Sequence, residues 1–295
     1  MRLVCPAAFK GTLSPLAAAR LLMEPGDRLL PLSDGGDGFL ECLHAGLGGD
    51  WMEAEAADPY GIERAVPWLL LRDGTACIES AKVIGLAGLG RLDPMAASSR
   101  GLGALIQKVL AAKPERLWIG LGGTATMDGG ATWPDLKKLP PTMAFCDVTT
   151  DLADAARIFG PQKGASKADI PILTERLLGL CLPRGPRTGA AGGLGAKLLA
   201  HGASLVDGAE EMLQALGFDH ALEGCDAVVT GEGRLDASTL EGKLPWRVAL
   251  RAHVFGLPVL GRFGSYGPGW EAAAEAFDEL AFGDPRHEDR AVPMI

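Results

Sequence analysis

The chain has 295 residues, 47% of them hydrophobic and 22% charged, with 41 glycines that fall in clusters and a formal net charge of −9. This is ordinary globular usage for one large or two average α/β domains, and it argues against a disordered chain. The acidic balance argues against a nucleic-acid partner, which needs a basic face, but leaves room for a local cationic pocket for a small anion.

In chain order, Leu3-Val4-Cys5 reads as a strand, and Ser14-Pro15 reads as a helix cap followed by a favoured first helical residue. That helix runs from Leu16 to Met23 and stops near Pro25-Gly26. Between strand and helix, Ala7–Gly11 is a loop delivered to a helix N-terminus, where anions bind readily. A second strand, Arg28–Leu32, enters Ser33-Asp34-Gly35-Gly36-Asp37-Gly38. Val66–Leu71 and Thr75–Ile78, joined through Asp73-Gly74, form a hairpin and mark a second domain entered soon after residue 50. Leu102, Leu105, Ile106 and Val109 carry helical spacing, and Arg116–Ile119 is a strand feeding a glycine-rich loop, Gly120–Gly130. Toward the C-terminus, helix 210–216, strand 226–230, helix 244–252, strand 258–260 and helix 271–277 alternate, which implies crossover units and a parallel sheet. The expected fold is two α/β domains. Residues 1–50 and 205–295 form one with a parallel sheet, and residues 51–204 form a second with a mixed sheet.

The six cysteines are scattered without a C-x-x-C pair and read as reduced thiols, five of them beside or within apolar runs. The first residues lack a signal-peptide core, and no apolar stretch approaches the ~18 residues of a membrane span. A cytoplasmic chain with no membrane partner follows as an expectation. His44, His201, His220, His253 and His287 are unpaired in the sequence, no G-x-S-x-G elbow is present, and no G-x-x-x-x-G-K-[ST] loop occurs; hydrolase, zinc and P-loop chemistry are thereby disfavoured.

Several islands combine Gly with Asp, Glu, Lys or Ser/Thr after apolar strands, where ligands bind in open α/β sheets. Gly lets backbone N–H groups face phosphate, Lys supplies positive charge, and Asp or Glu holds Mg²⁺ or accepts a proton. Lys10 is a carboxylate or phosphate contact or else a solvated loop lysine. Asp34 and Asp37 either ligate Mg²⁺ and orient a hydroxyl or cap an acidic turn. Gly120–Gly130 formally matches a dinucleotide fingerprint, but the loop is interrupted before a helix can open; a phosphate or substrate loop using Gly122, Gly123 and Thr124 fits better. Asp147 ends an apolar stretch and suits a proton-accepting carboxylate. Gln162 and Lys163 sit on a Gly-Pro-punctuated segment suited to anions, with an ordinary surface turn as the alternative. Gly192 and Gly193 belong to a Gly-rich run that could equally be a close-packed helix start. Glu232, Arg234 and Asp236, with Lys243 beyond, have the composition expected where nucleotide phosphates meet Mg²⁺, or of a salt-bridged turn.

Taken in order, the islands resemble the glycerate kinase family of bacterial glycerate catabolism. The matching stretches are Phe9–Ser14, Pro31–Gly38, Gly120–Gly130, Cys146-Asp147-Val148, Phe159–Ala165, Gly189–Ala196, Thr230–Asp236 and Gly242–Pro245. The resemblance implies two α/β domains, one flavodoxin-like, with the active site in the cleft. It also implies ATP- and Mg²⁺-dependent phosphorylation of D-glycerate to 2- or 3-phosphoglycerate; the expected state of the chain is a monomer or homodimer. On that reading, metal and acid/base work fall to Asp147, Asp128 and Asp34, with Asp34 and Asp147 as the magnesium ligands. Phosphate and carboxylate contacts fall to Lys10, Lys163, Arg234 and Lys243, with Glu232 and Asp236 next. The chain departs from the family in having Ala7-Ala8 for Asp-Ser, Met127 for Asn, Thr150-Asp151 for Asn-Pro, and a short segment between Gly130 and Cys146. The departures at Ala7, Ala8 and Met127 leave as an alternative a catalytically impaired relative that senses a small anionic metabolite, and the Gly120 loop leaves a less favoured one, a nucleotide-dependent oxidoreductase.

Overall fold

The computed structural model describes residues 1–136, 138–286 and 292–294; His287 lies outside them. The chain divides into two compact units, Met1–Leu47 with Ala209–Ile295, and Gly48–Gly208. The first begins with β1 (Arg2–Val4), α1 (Pro15–Leu22), β2 (Arg28–Leu29) and α2 (Phe39–Leu47). The α1 helix starts where Ser14 Oγ accepts the Ala17 N–H at 3.3 Å, with Pro15 in the first turn, and it buries Pro15, Ala18 and Ala19.

The second unit holds β3 (Asp50–Ala57), β4 (Glu63–Leu70), β5 (Thr75–Glu79), α3 (Ser80–Ile84), α4 (Arg100–Ala111), β6 (Arg116–Leu121) and β7 (Thr142–Cys146). It continues with α5 (Ala155–Phe159), α6 (Asp169–Gly179), α7 (Ala190–Ala200) and β8 (Ser204–Asp207). Its sheet is mixed, in the order β3-β4-β5-β6-β7-β8: the first three strands are antiparallel neighbours, and β5 to β8 pair in parallel. Leu102, Leu105, Ile106 and Val109 of α4 pack with Ile78, Ile119 and Ala144 in one core. Met127, Leu152, Leu173 and Leu177 form another.

The chain then returns to the first unit through α8 (Gly208–Ala215), α9 (Phe218–Ala221), β9 (Ala227–Leu235), α10 (Leu244–Val254), β10 (Val259–Tyr266), α11 (Trp270–Ala274), β11 (Glu279–Phe282) and β12 (Val292–Met294). Its sheet runs β12-β11-β10-β9-β1-β2, parallel except where β12 meets β11. Val4, Ala19 and Val229 are buried together between sheet and helix. No helix among the described residues is long and apolar enough to cross a membrane.

Several elements depart from the sequence reading. The strand expected over 28–32 pairs only at Arg28–Leu29, and α2 and β3 were not anticipated. Most of β3 is exposed, so no alternating apolar face announces it. The strand expected to end at Thr230 continues to Leu235, so Gly231, Glu232, Gly233 and Arg234 lie in a strand rather than in a turn. The reason is close approach: a Cβ on Gly231 would stand 1.6 Å from the Arg262 carbonyl oxygen of the neighbouring strand.

Candidate functional site

In the first unit, the C-terminal half of β9 forms the floor of a pocket of about 520 Å3. The segment after β1 stays beside that strand, since Cys5 N–H donates to Val229 O and Ala7 N–H to Gly231 O at 2.8 and 2.9 Å. This carries Phe9 and Lys10 to the pocket wall, where Thr12 also lies. The two-residue period of a strand puts Glu232 and Arg234 on one face of β9, and both line the pocket with Gly233 between them. Gly233 contributes space, because a Cβ there would stand 3.3 Å from the Lys10 backbone nitrogen. Beyond the strand, Asp236 caps a short 3-10 helix over Ala237–Glu241 by accepting from Ser238 N–H at 3.0 Å. Lys243, just before α10, completes the charged set.

The pocket thus brings together Lys10, Arg234, Lys243, Glu232 and Asp236, five of the residues that the sequence singled out. Lys243 Nζ lies 3.5 Å from Asp236 Oδ1 and 3.8 Å from Glu232 Oε1, and Arg234 Nε lies 3.7 Å from Asp236 Oδ2. Thr239 Oγ1 donates to Glu232 Oε1 at 3.2 Å. Burial drives the Glu232 carboxyl above the usual glutamate range, reinforced by Asp34 and opposed by Lys243, the Thr239 hydrogen bond and Lys10. Burial also pushes Asp236 upward, but the Ser238 hydrogen bonds and Lys243 prevail and hold its carboxyl low. Gly264, Ser265, Asp284 and Pro285 also line the pocket. The sequence reading missed these four, because it ended the preceding strand near Leu260 and left the chain beyond it without an island.

Asp34 forms a local turn in which its Oδ1 accepts the Gly36 N–H at 3.2 Å, and Asp37 is exposed. Among the described residues no group of three or more His, Cys, Asp or Glu converges to hold a metal. Magnesium on nucleotide phosphates takes only one or two protein carboxylates. The donor set fits that situation: three cations match phosphate oxygens, and carboxylates stand beside them.

In the second unit the Gly120–Gly130 stretch leaves β6 without opening a helix. It is instead laced to the chain after α3: Leu86 N–H donates to Gly123 O and Ala125 N–H to Ile84 O, both at 2.8 Å. Ser80 Oγ donates to Gly122 O at 3.3 Å. Lys163, read from the sequence as a residue on a Gly-Pro-punctuated segment suited to anions, is 3% exposed, while Gln162 beside it is exposed. Its Nζ donates to Thr124 O at 2.5 Å and to Thr124 Oγ1 at 2.9 Å. Burial lowers its ammonium to about 7 against the opposing pull of Asp147 and Asp128.

Asp128 is buried and accepts from Ser99 N–H at 2.8 Å, from Gly130 N–H at 3.4 Å and from Thr132 Oγ1 at 3.4 Å, so its carboxylate braces the loop and the start of α4. Met127 is fully buried in an apolar core, which accounts for an apolar side chain at that loop position. Gly192 and Gly193 fall at a kink inside α7, and a Cβ on Gly192 (φ +69°) would stand 2.1 Å from Thr126 O. Asp147 is exposed directly after β7. The sequence reading missed Arg187 and Asp207, an ion pair at 3.1 Å whose Asp207 is in register with Cys146. Asp207 ends the apolar run Leu205-Val206, the same pattern that marks Asp147, and could have been found by it.

The chain is similar in sequence and fold to known proteins. A profile described as Glycerate kinase family matches residues 2–135 and 134–283. A protein named Glycerate kinase from Halalkalibacterium halodurans is 32% identical over 95% of this chain and 89% of its own length. Glycerate 2-kinase from Escherichia coli strain K12 is 34% identical over 89% of this chain and 84% of its own. The fold is similar to a crystal structure of a Salmonella typhimurium LT2 protein assigned as glycerate kinase 2, with a TM-score of 0.77, 30% identity and coverage of 98% of this chain and 92% of that one. Matches spanning both units, together with the order of the glycine-rich strand ends described above, establish that the chain belongs to the glycerate kinase family.

Proposed function

We propose that the chain transfers the γ-phosphoryl group of ATP to a hydroxyl of D-glycerate, with Mg²⁺ as the accompanying ion. The observation that carries this reading is the pocket of the first unit, where Lys10, Arg234 and Lys243 meet Glu232 and Asp236 at the end of β9 in a chain of this family. Phosphoryl transfer asks the protein mainly for positioning and charge neutralisation, and the three cations that line the pocket suit both. Mg²⁺, when bound, would supply charge neutralisation at the phosphates, and Asp34, in the unit that holds the pocket, is a candidate carboxylate ligand for it. Lys163 acts on this reading by holding the Thr124 loop in shape rather than by meeting phosphate itself. We place the enzyme in the cytoplasm, acting on a small molecule.

The test is ADP release measured with D-glycerate, ATP and Mg²⁺, with the phosphorylated position identified by phosphorus NMR. Replacement of Lys243 or Lys10 by Ala is expected to raise KM for an anionic substrate about tenfold or more, the scale of one charge-assisted hydrogen bond. Turnover that required a nicotinamide nucleotide, or ligand-induced stabilisation with no turnover at all, would overturn this reading.

A further inference from the structure

Within the kinase reading, one question the fold leaves open is which side chain receives the proton of the attacking hydroxyl. The sequence nominated Asp147, Asp128 and Asp34. Asp128 already accepts three hydrogen bonds that brace its own loop. Asp34 accepts the Gly36 N–H in a local turn. Asp236, although it lines the pocket, is committed to capping and to two cations.

We infer that Glu232 is the catalytic proton acceptor for the substrate hydroxyl, placed by β9 inside the pocket that holds the anionic groups. This inference rests on the kinase reading given above and names a residue role within it. Three features of the geometry support it. Glu232 sits on a paired strand, with Phe263 as its partner in β10, so its backbone is fixed. Its Oε1 is held by Thr239 and faced by Lys243, which orients the carboxylate where Glu232 lines the pocket. The neighbouring residue is Gly233, whose missing side chain keeps the floor open beside Lys10.

The electrostatics sort the two pocket carboxylates into different tasks. Burial raises Glu232, against Lys243, Thr239 and Lys10 and with help from Asp34, whereas Ser238 and Lys243 hold Asp236 low. Two carboxylates in one pocket whose environments separate them in this way divide into a proton carrier and a permanent anion. In the reaction the hydroxyl O–H bond breaks and its proton passes to the Glu232 carboxylate. The freed oxygen pair forms the new bond to the γ-phosphorus, while the bond from that phosphorus to the β–γ bridging oxygen breaks. Its electron pair leaves on ADP, and Glu232 then returns its proton to solvent.

The experiment compares the wild-type chain with Glu232→Gln and Glu232→Asp, measuring kcat and KM for both substrates across pH and across Mg²⁺ concentration. Gln keeps the size and the Thr239 contact but cannot take the proton. Its kcat is expected to fall about 100-fold or more, the usual scale for loss of a general base. KM values are expected to stay within a few-fold, the acid limb of kcat should flatten, and Asp should restore part of the rate. Folding is checked separately. Because the buried charge is unfavourable, Glu232→Gln is expected to melt higher than wild type at neutral pH. That gap should close as the pH falls to the ordinary glutamate range.

A Gln variant with unchanged kcat and an intact acid limb would overturn the inference. Recovery of its rate by raised Mg²⁺ would also overturn it, making Glu232 a metal ligand instead. A wild-type chain without kinase turnover would overturn the kinase reading and this inference with it, whereas an active wild type with an insensitive Glu232→Gln overturns the inference alone.

Discussion

Lys163 carries its ammonium group into an interior from which water is excluded, and the carbonyl and hydroxyl oxygens of Thr124 take over part of its solvation. Burial lowers its proton affinity to about 7, whereas the same group in an unfolded chain keeps the ordinary lysine value of 10.5. Between those two values the unfolded chain binds the extra proton, so folding stability gains from rising pH. Wild type is therefore expected to gain stability relative to Lys163→Met from pH 7 to pH 9, by at most about 1.4 kcal/mol per pH unit. Denaturant melts of both proteins across that range check the sign, and a difference that is flat or falls with pH would contradict it. The residue types at the site were legible in the sequence as strand-end islands, but their exposure was not. Lys163 and Asp128 read as polar loop residues because periodicity reports burial only inside helices and strands. Both lie in irregular chain, where three-dimensional packing alone decides who is buried.

At the scale of one element, β9 shows how a strand can pass for a loop. Its second half, Gly231-Glu232-Gly233-Arg234, has turn-like composition, yet every one of these residues lies within a strand paired to β10. The two glycines serve different ends, which gives a paired test. Gly231→Ala would set a methyl group 1.6 Å from the Arg262 carbonyl oxygen and is expected to cost about 3 kcal/mol or to prevent folding. At Gly233 the nearest atom would be 3.3 Å away, so Gly233→Ala should fold and instead crowd the pocket beside Lys10, raising KM. Thermal melts and steady-state kinetics on the two variants separate the roles; equal melting temperatures would refute the assignment. The hairpin of β4 and β5 was legible from its Asp73-Gly74 turn, and α1 from its Ser14-Pro15 start. By contrast, β3 pairs with β4 along its whole length while exposing most of its side chains, so its identity comes from its partner strand.

For the molecule as a whole, the expectation of two α/β architectures agrees with a largely parallel sheet in one unit and a mixed sheet in the other. All six cysteines are free thiols, five of them buried and Cys181 exposed. Burial pushes the Cys146 thiol up to about 12, with Asp147 adding to it, and drives Cys5 and Cys77 upward as well. Low thiolate content and lack of access both slow alkylation. A thiol-reactive dye at pH 8 is therefore expected to label one cysteine rapidly in the native protein, at Cys181, and six after denaturation. Rapid labelling of two or more native thiols would show that a buried site opens.

The place of β1 has a consequence for the time course of synthesis. Leu3 pairs with Val228, and Thr230 Oγ1 donates to Cys5 O at 3.0 Å across 225 residues of chain. On a ribosome, β1 emerges long before β9 exists, and β2 alone gives it one short neighbour. The segment Gly48–Gly208 has its own sheet and cores and can complete itself while β1 still waits. Closing so long a loop costs only a slowly growing entropy, but it delays the search for the partner. The sheet whose strand β9 bears Glu232 therefore closes only after the Gly48–Gly208 segment has been synthesised.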